Sequence, residues 1–304
     1  MNTLELAAAD AASATDTGQI RVANQDAFGA FTDADNARLF VVADGMGGHQ
    51  GGETASRVAV ETIGEVFRRS EEGPEATLLD AFRAANQRIW QMAQQDEHLH
   101  GMGTTGVALL LSSGGPLWLA HVGDSRAYRY RDGVLERLTV DHSMVEHMRE
   151  QGLITAEEAA NHPDRNVILR SLGVQPTVEV DLTAVPSEPG DRYLLCSDGL
   201  SGVVPETEIA AVIERNRPVD AARLLVDLAN QRGGPDNVTV QLVQIPGGEP
   251  PARAAEIPVS RPPTITPARA PVRRADPRIP IVAAVCIGVG VILVAVILWL
   301  AMAR

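Results

Sequence analysis

Apolar positions in the first 246 residues of this chain follow two alternating periods, and each period marks a kind of element. Leu39-Phe40-Val41-Val42-Ala43 is a short unbroken apolar run, as expected of a buried strand, and it stops at Asp44. Ala55, Val58, Ala59, Thr62, Ile63, Val66 and Phe67 recur at helical spacing and predict a helix with one apolar face. Leu78, Phe82, Ala85, Ile89 and Met92 predict a second. From 104 to 138 the period falls to two. Strands are predicted at Val107–Leu111, Trp118–Val122, Ala127–Arg131 and Val134–Leu138, with Asp132-Gly133 as a hairpin turn. Thr155-x-x-Glu158 has the form of a capping box that opens a helix. Further strands are expected at Tyr193–Cys196 and Val238–Val243, and helices near 206–215 and 219–231. Strands joined by tight turns favour antiparallel sheets with helices packed outside them.

Beyond this unit the pattern changes. Residues 247–278 hold eight Pro and six Arg with no hydrophobic period, as expected of an extended tether. Ile281 to Met302 is a run of 22 residues without a charge. As a helix it would span roughly 33 Å, enough for a bilayer core. Arg273, Arg274 and Arg278 precede it and only Arg304 follows, a bias that places the large domain in the cytoplasm. The start is not a signal peptide, because Glu5 and Asp10 interrupt it and no basic residue leads it. The expected organisation is a flexible start over 1–15, a globular domain over 16–246, a linker over 247–278 and a single membrane-spanning helix over 279–302. The expected location is the cell membrane, with the domain on the cytoplasmic side.

Charge narrows the partners. Residues 1–246 carry 19 Arg against 36 acidic residues, a formal charge of −17. Such a surface argues against nucleic acid as a ligand. It leaves room for a phosphorylated protein, where a local Arg and bound cations reverse the sign at the site. Only Cys196 and Cys286 are present, one in an apolar strand and one in the terminal run. A disulfide between them is implausible, and a reducing compartment is expected.

Seven clusters carry the candidate chemistry: RVANQD (21–26), ADGMGGH (43–49), GMGTTG (101–106), HVGDSR (121–126), LTVDHS (138–143), CSDGL (196–200) and GGPDN (233–237). Asp26, Asp44, Asp124, Asp198 and Asp236 each sit at the end of a strand-like run. Singly, each could be an Asx turn or a helix cap. Together they suggest a shared centre for a hard cation, since carboxylates repel at close range without one. A backbone carbonyl in the glycine turn after Asp44 could add an oxygen ligand, a set suited to Mg²⁺ or Mn²⁺. No His pair or Cys partner has zinc spacing. His49 and His142 lie where they could donate protons, and His121 could simply be packed in its strand. Arg21 could grip a phosphate through two parallel bonds, or form a surface ion pair.

In their order, the motifs R-x-x-N-x-D, ADGMGGH, GTT, HVGDSR, LTxDHS, SDGL and GPDN make the chain resemble the bacterial branch of the metal-dependent type-2C (PPM) Ser/Thr protein phosphatases. The match runs from about Asp16 to Val243. The resemblance implies an α/β sandwich of two antiparallel sheets flanked by helices. It implies hydrolysis of phosphoserine and phosphothreonine in proteins by a metal-activated water; with the apolar run, the expected role is to oppose a Ser/Thr kinase at the membrane, as a monomer. It implies two Mn²⁺ or Mg²⁺ ions, with a third in bacterial members. Asp44 would bridge two ions, the Gly45 carbonyl would complete the second, and Asp198 and Asp236 would bind the first. Asp124 with Asp198 would form the third site. Asp26 would hold metal-bound waters, Arg21 the substrate phosphate, and Asn237 would support the ligands. Residues 143–175 would form a mobile flap. Two positions depart from the family. Gln25 stands where Glu is usual, which weakens the outer network of the second ion. Met46 stands where the eukaryotic branch has a His, which leaves His49 or a water as the acid. The competing possibility is an inactive relative that binds phosphoproteins without cleaving them.

Overall fold

A computed structural model describes residues 10–112 and 115–247. The linker over 248–278 and the apolar run over 279–302 lie outside the described residues.

The element order is β1 (Asp10–Asp16), β2 (Asp26–Thr32), β3 (Arg38–Met46), α1 (Gly48–Arg69), α2 (Pro74–Gln95), β4 (Gly103–Thr104), β5 (Gly106–Leu111), β6 (Leu117–Val122), β7 (Arg126–Arg131), β8 (Val134–Arg137), α3 (Met144–Glu150), α4 (Ala156–Ala160), β9 (Asp181–Val185), β10 (Arg192–Cys196), α5 (Asp198–Ser201), α6 (Glu206–Arg215), α7 (Pro218–Gln231) and β11 (Val238–Gln244). One sheet has the order β1-β11-β10-β7-β8, and the other β2-β3-β5-β6-β9 with β4 beside β3. Every pairing is antiparallel.

The apolar run of β3 faces two ways. Leu39, Val41 and Ala43 pack with Val58, Ile63, Phe67, Leu78 and Phe82 of α1 and α2. Phe40 and Val42 alternate to the other face and meet Tyr193, Leu195 and Val243 of the opposite sheet. A strand buried on both faces is why the run is continuous rather than alternating. A third cluster packs α6 and α7 on the outer face of β10 and β11, through Ile209, Leu225, Leu194 and Val240. Each large side chain so buried stabilises the fold by roughly 1.5–3 kcal/mol.

Local signals match their elements. Asp132 (φ 50°) and Gly133 (φ 83°) turn the β7–β8 hairpin with two left-handed residues. The capping box forms in full: Thr155 Oγ1 accepts from Glu158 N at 3.2 Å, and Glu158 Oε2 accepts from Thr155 N at 2.8 Å. The start of the chain differs from expectation. Residues 10–15, read as part of a flexible segment, lie in edge strand β1, which pairs with β11 from Asp10↔Gln244 to Asp16↔Val238. Its small residues give no hydrophobic signal; the open edge of β11 orders them.

Candidate metal centre and active site

The centre forms where strand alternation runs out. The register that sends Phe40 and Val42 between the sheets sends Asp44 there too, at the end of the sandwich. Asp26 lies directly opposite Asp44 across the β2–β3 pair. It begins β2, whereas the sequence pattern placed it after a strand-like run. Asp124 follows β6, Asp198 follows β10 and opens α5, and Asp236 precedes β11. The electrostatic neighbours of Asp44 are Asp26, Asp198, Asp124 and Asp236, so all five predicted aspartates meet at one end of the fold.

They are held by hydroxyls that motif reading passed over. Ser197 Oγ donates to Asp26 Oδ2 at 2.7 Å and accepts from Thr239 N at 3.0 Å. Thr105 Oγ1 accepts from Asp44 N at 2.9 Å and bonds Ser125 Oγ at 2.7 Å. Thr104 Oγ1 and Thr105 N both donate to Asp44 O, at 2.8 and 2.9 Å. A clue was available: these hydroxyl residues sit inside the GMGTTG, HVGDSR and CSDGL clusters. Gly45 lies where the chain has no room for a side chain. A Cβ there would stand 2.1 Å from the Gly52 carbonyl oxygen. Asn237 accepts from Gln25 N at 2.8 Å and donates to Thr17 O and Ala23 O at 2.8 and 2.9 Å. Gln25 donates its side-chain amide to Gly48 O at 2.7 Å. His49 lies at the start of α1, and its side chain is outside the described residues.

The electrostatics ask for a cation. Burial, then repulsion from neighbouring carboxylates, raises Asp44 well above the carboxylate range and raises Asp198 as well. Asp26 is pushed to about 7 by burial, against the hydrogen bond from Ser197. Asp124 is pushed to about 7 by burial and by Asp198. Asp26 Oδ1 and Asp198 Oδ1 are buried with no hydrogen-bond partner. Bare carboxylate oxygens in a buried site are costly, and a divalent ion satisfies them together. The donor set is all oxygen, which fits Mn²⁺ or Mg²⁺. Arg21 stands at the rim, with NH2 2.7 Å from Asp236 Oδ2 and its side chain half exposed.

Among the described residues, one trio has possible ligand atoms all within 4.8 Å of one another: His121, His142 and Asp181. No three of the aspartates meet that limit, although Asp44 and Asp198 lie within hydrogen-bonding reach of each other and Asp236 is paired with Arg21. The histidine trio already holds its own cation. Arg170 NH1 lies 2.5 Å from Asp181 Oδ1 and 3.2 Å from His142 Nε2. His142 Nδ1 accepts from Gly123 N at 3.0 Å, and His121 Nε2 lies 2.9 Å from Val140 O. The rings stack at 4.7 Å, and burial lowers the pKa of each. His142, read as a possible proton donor, is turned instead to hold the backbone just before Asp124.

Cys196 is fully buried, and burial lifts its thiol to about 12, so it is a core residue and no nucleophile.

With this geometry in hand, comparison with known proteins is informative. A family model described as protein phosphatase 2C matches residues 18–237. The chain is 41% identical over 236 residues to the serine/threonine phosphatase stp of Listeria monocytogenes, covering 76% of this chain and 93% of that protein. The crystal structure of the Mycobacterium tuberculosis serine/threonine phosphatase PstP/Ppp superposes with a TM-score of 0.72 at 40% identity, over 79% of this chain and 99% of that one. The catalytic domain of PstP in complex with two manganese ions gives a TM-score of 0.69 at 37% identity, over 79% and 99% of the two chains. By sequence and by fold, the chain belongs to the protein phosphatase 2C family.

Proposed function

We propose that this protein removes phosphate from phosphoserine and phosphothreonine in proteins, with Mn²⁺ or Mg²⁺ as cofactor. The observation that carries the proposal is the cluster of five neighbouring aspartates, two of them with buried unpartnered oxygens, beside a half-exposed arginine. Asp44, the Gly45 carbonyl, Asp198 and Asp236 would hold two ions, and Asp124 with Asp198 a third. Ions bound there act as Lewis acids and lower the pKa of coordinated water toward neutrality. Asp26, fixed by Ser197, would orient water at the edge of the centre. Arg21 would leave Asp236 for the substrate phosphate and neutralise its oxygens. Asn237 keeps the Arg21 loop against the centre. His49 is a candidate donor to the leaving oxygen.

The test is phosphate release by the full-length chain from a phosphothreonine peptide during a Mn²⁺ titration. Release is expected only with metal, and Asp44→Asn is expected to lower kcat/KM by about a thousand-fold. Undiminished turnover in excess chelator, or in the variant, overturns the proposal.

We also propose that residues 279–302 anchor the enzyme in the cell membrane with its domain in the cytoplasm, near a Ser/Thr kinase it opposes. The charge-free run and the preceding arginines support this. Among the described residues no helix is long and apolar enough to cross a membrane. A tether raises the local concentration of enzyme around membrane substrates. The full-length chain is expected to sediment with membranes and resist alkaline extraction, while a chain truncated before 279 stays soluble. A full-length chain recovered in the soluble fraction rules out the anchor.

A further inference from the structure

The loop between β1 and β2 presents Ile20-Arg21-Val22. Ile20 is 70% exposed and Val22 90%, the two most exposed large apolar side chains among the described residues. Neither belongs to any of the three apolar clusters, so packing of the fold does not account for them.

The loop that carries them is tied down. The Asn237 amide closes it at both ends through Thr17 O and Ala23 O. Gln19 N donates to Gly234 O at 2.8 Å. Gly18 has φ 81°, and a Cβ there would stand 2.2 Å from Asp236 O, so the turn lies directly on the loop that bears Asp236. Arg21 completes the fastening through Asp236 Oδ2. Two apolar side chains thus flank Arg21, the basic group paired with Asp236, on a loop that is held in place. Preorganisation of this kind lowers the ordering cost of binding.

We propose that Ile20 and Val22 contact the residues flanking the phosphorylated side chain of the substrate, so that the enzyme selects phosphosites with apolar neighbours. The occupant is an extended phosphopeptide segment. Its phosphate is drawn to Arg21 by charge, and its flanking residues then lie one Cα spacing away along the chain. This inference rests on the phosphatase reading and deepens it.

Two phosphothreonine peptides that differ only in their flanking residues, Leu and Val in one and Ser and Gln in the other, test the idea with the full-length chain in Mn²⁺. The wild type is expected to show about ten-fold higher kcat/KM for the apolar-flanked peptide, expressed in KM. Ile20→Ser with Val22→Ser is expected to bring the ratio of the two peptides close to one. Ile20→Leu with Val22→Leu is expected to keep it. Equal kinetics for the two peptides in the wild type, or an unchanged ratio in the serine variant, overturns the proposal. p-Nitrophenyl phosphate separates the two levels of inference, because it has no flanking residues. If the wild type hydrolyses it but shows no peptide preference, only the selectivity fails. If the wild type hydrolyses neither it nor the peptides, the phosphatase reading fails.

Discussion

Two kinds of buried carboxylate occur in this domain. Asp191 is 2% exposed and its oxygens are filled by the chain itself. Arg131 Nε and NH2 reach Oδ1 and Oδ2 at 2.6 Å each, and Glu188 N and the Tyr193 hydroxyl add bonds to Oδ2 at 2.9 and 3.1 Å. Burial pushes its pKa up, but these donors outweigh burial and leave it below the usual carboxylate value. Asp141 is similar, with Arg126 and Arg137 as its two cations. At the other kind of site, Asp26 and Asp198 keep oxygens with no partner, and Asp44, Asp124 and Asp198 are each raised by burial and by at least one neighbouring carboxylate. The same residue type is structural where the chain supplies donors. Where the chain withholds them, its oxygens are left bare, as the proposed metal centre requires.

The largest effect expected from this contrast is on stability. Asp191→Asn should destabilise the domain by about 1–3 kcal/mol, because it removes the buried charge that answers two nitrogens of Arg131 and leaves that guanidinium to the exposed Glu188. Asp44→Asn should leave metal-free stability unchanged or higher, because it relieves repulsion and desolvation. Denaturant unfolding in chelator compares the two; equal losses would erase the distinction.

Acidity should sharpen it. Asp26 and Asp124 have native pKa values of about 7, above their unfolded value. The stability they contribute without metal is complete in acid below about pH 4 and is lost as pH rises through about 7. Asp191 is depressed, so its contribution holds above the unfolded value and is lost as pH falls below it. Metal must displace the protons on Asp26 and Asp124. The rise in Tm on adding Mn²⁺ should therefore be larger at about pH 8 than at about pH 5. The same rise at both would mean that metal binding does not release protons from these carboxylates.

A smaller effect is expected one bond further out. Thr105 joins the Asp44 backbone to Ser125, beside Asp124. Thr105→Val keeps the shape and removes both bonds. Mn²⁺ affinity by calorimetry should fall about ten-fold, with a stability loss of about 1–2 kcal/mol. Unchanged affinity would show that the hydroxyl bridge serves folding alone.

Long or strongly patterned elements were legible in the sequence. The helical faces of 55–67 and 78–92 fall inside α1 and α2, and Asp132-Gly133 is the β7–β8 turn. Strands β1 and β9 were not legible, because DAASATD and DLTAV have too little apolar contrast to mark a face. Their partners β11 and β6 order them. Asp44, Asp124, Asp198 and Asp236 were legible as candidates, since glycine-rich strand ends mark positions where a scaffold can present side chains; Asp26 was legible only through its R-x-x-N-x-D motif. Their supports were not. Ser197, Thr105 and the His142 contact with Gly123 depend on pairs far apart in the chain.

By itself the sequence determined the kind of chemistry: which residues are candidate oxygen ligands, which basic side chain could meet a phosphate, and which runs alternate as strand or helix. These are local properties of composition and period. Tertiary structure alone decided which carboxylates keep bare oxygens and which are answered by arginine. Asp141 also falls inside one of the seven clusters, yet it is answered by arginines. The difference is set by which donors fold into reach and by how completely water is removed, and both depend on contacts between distant parts of the chain.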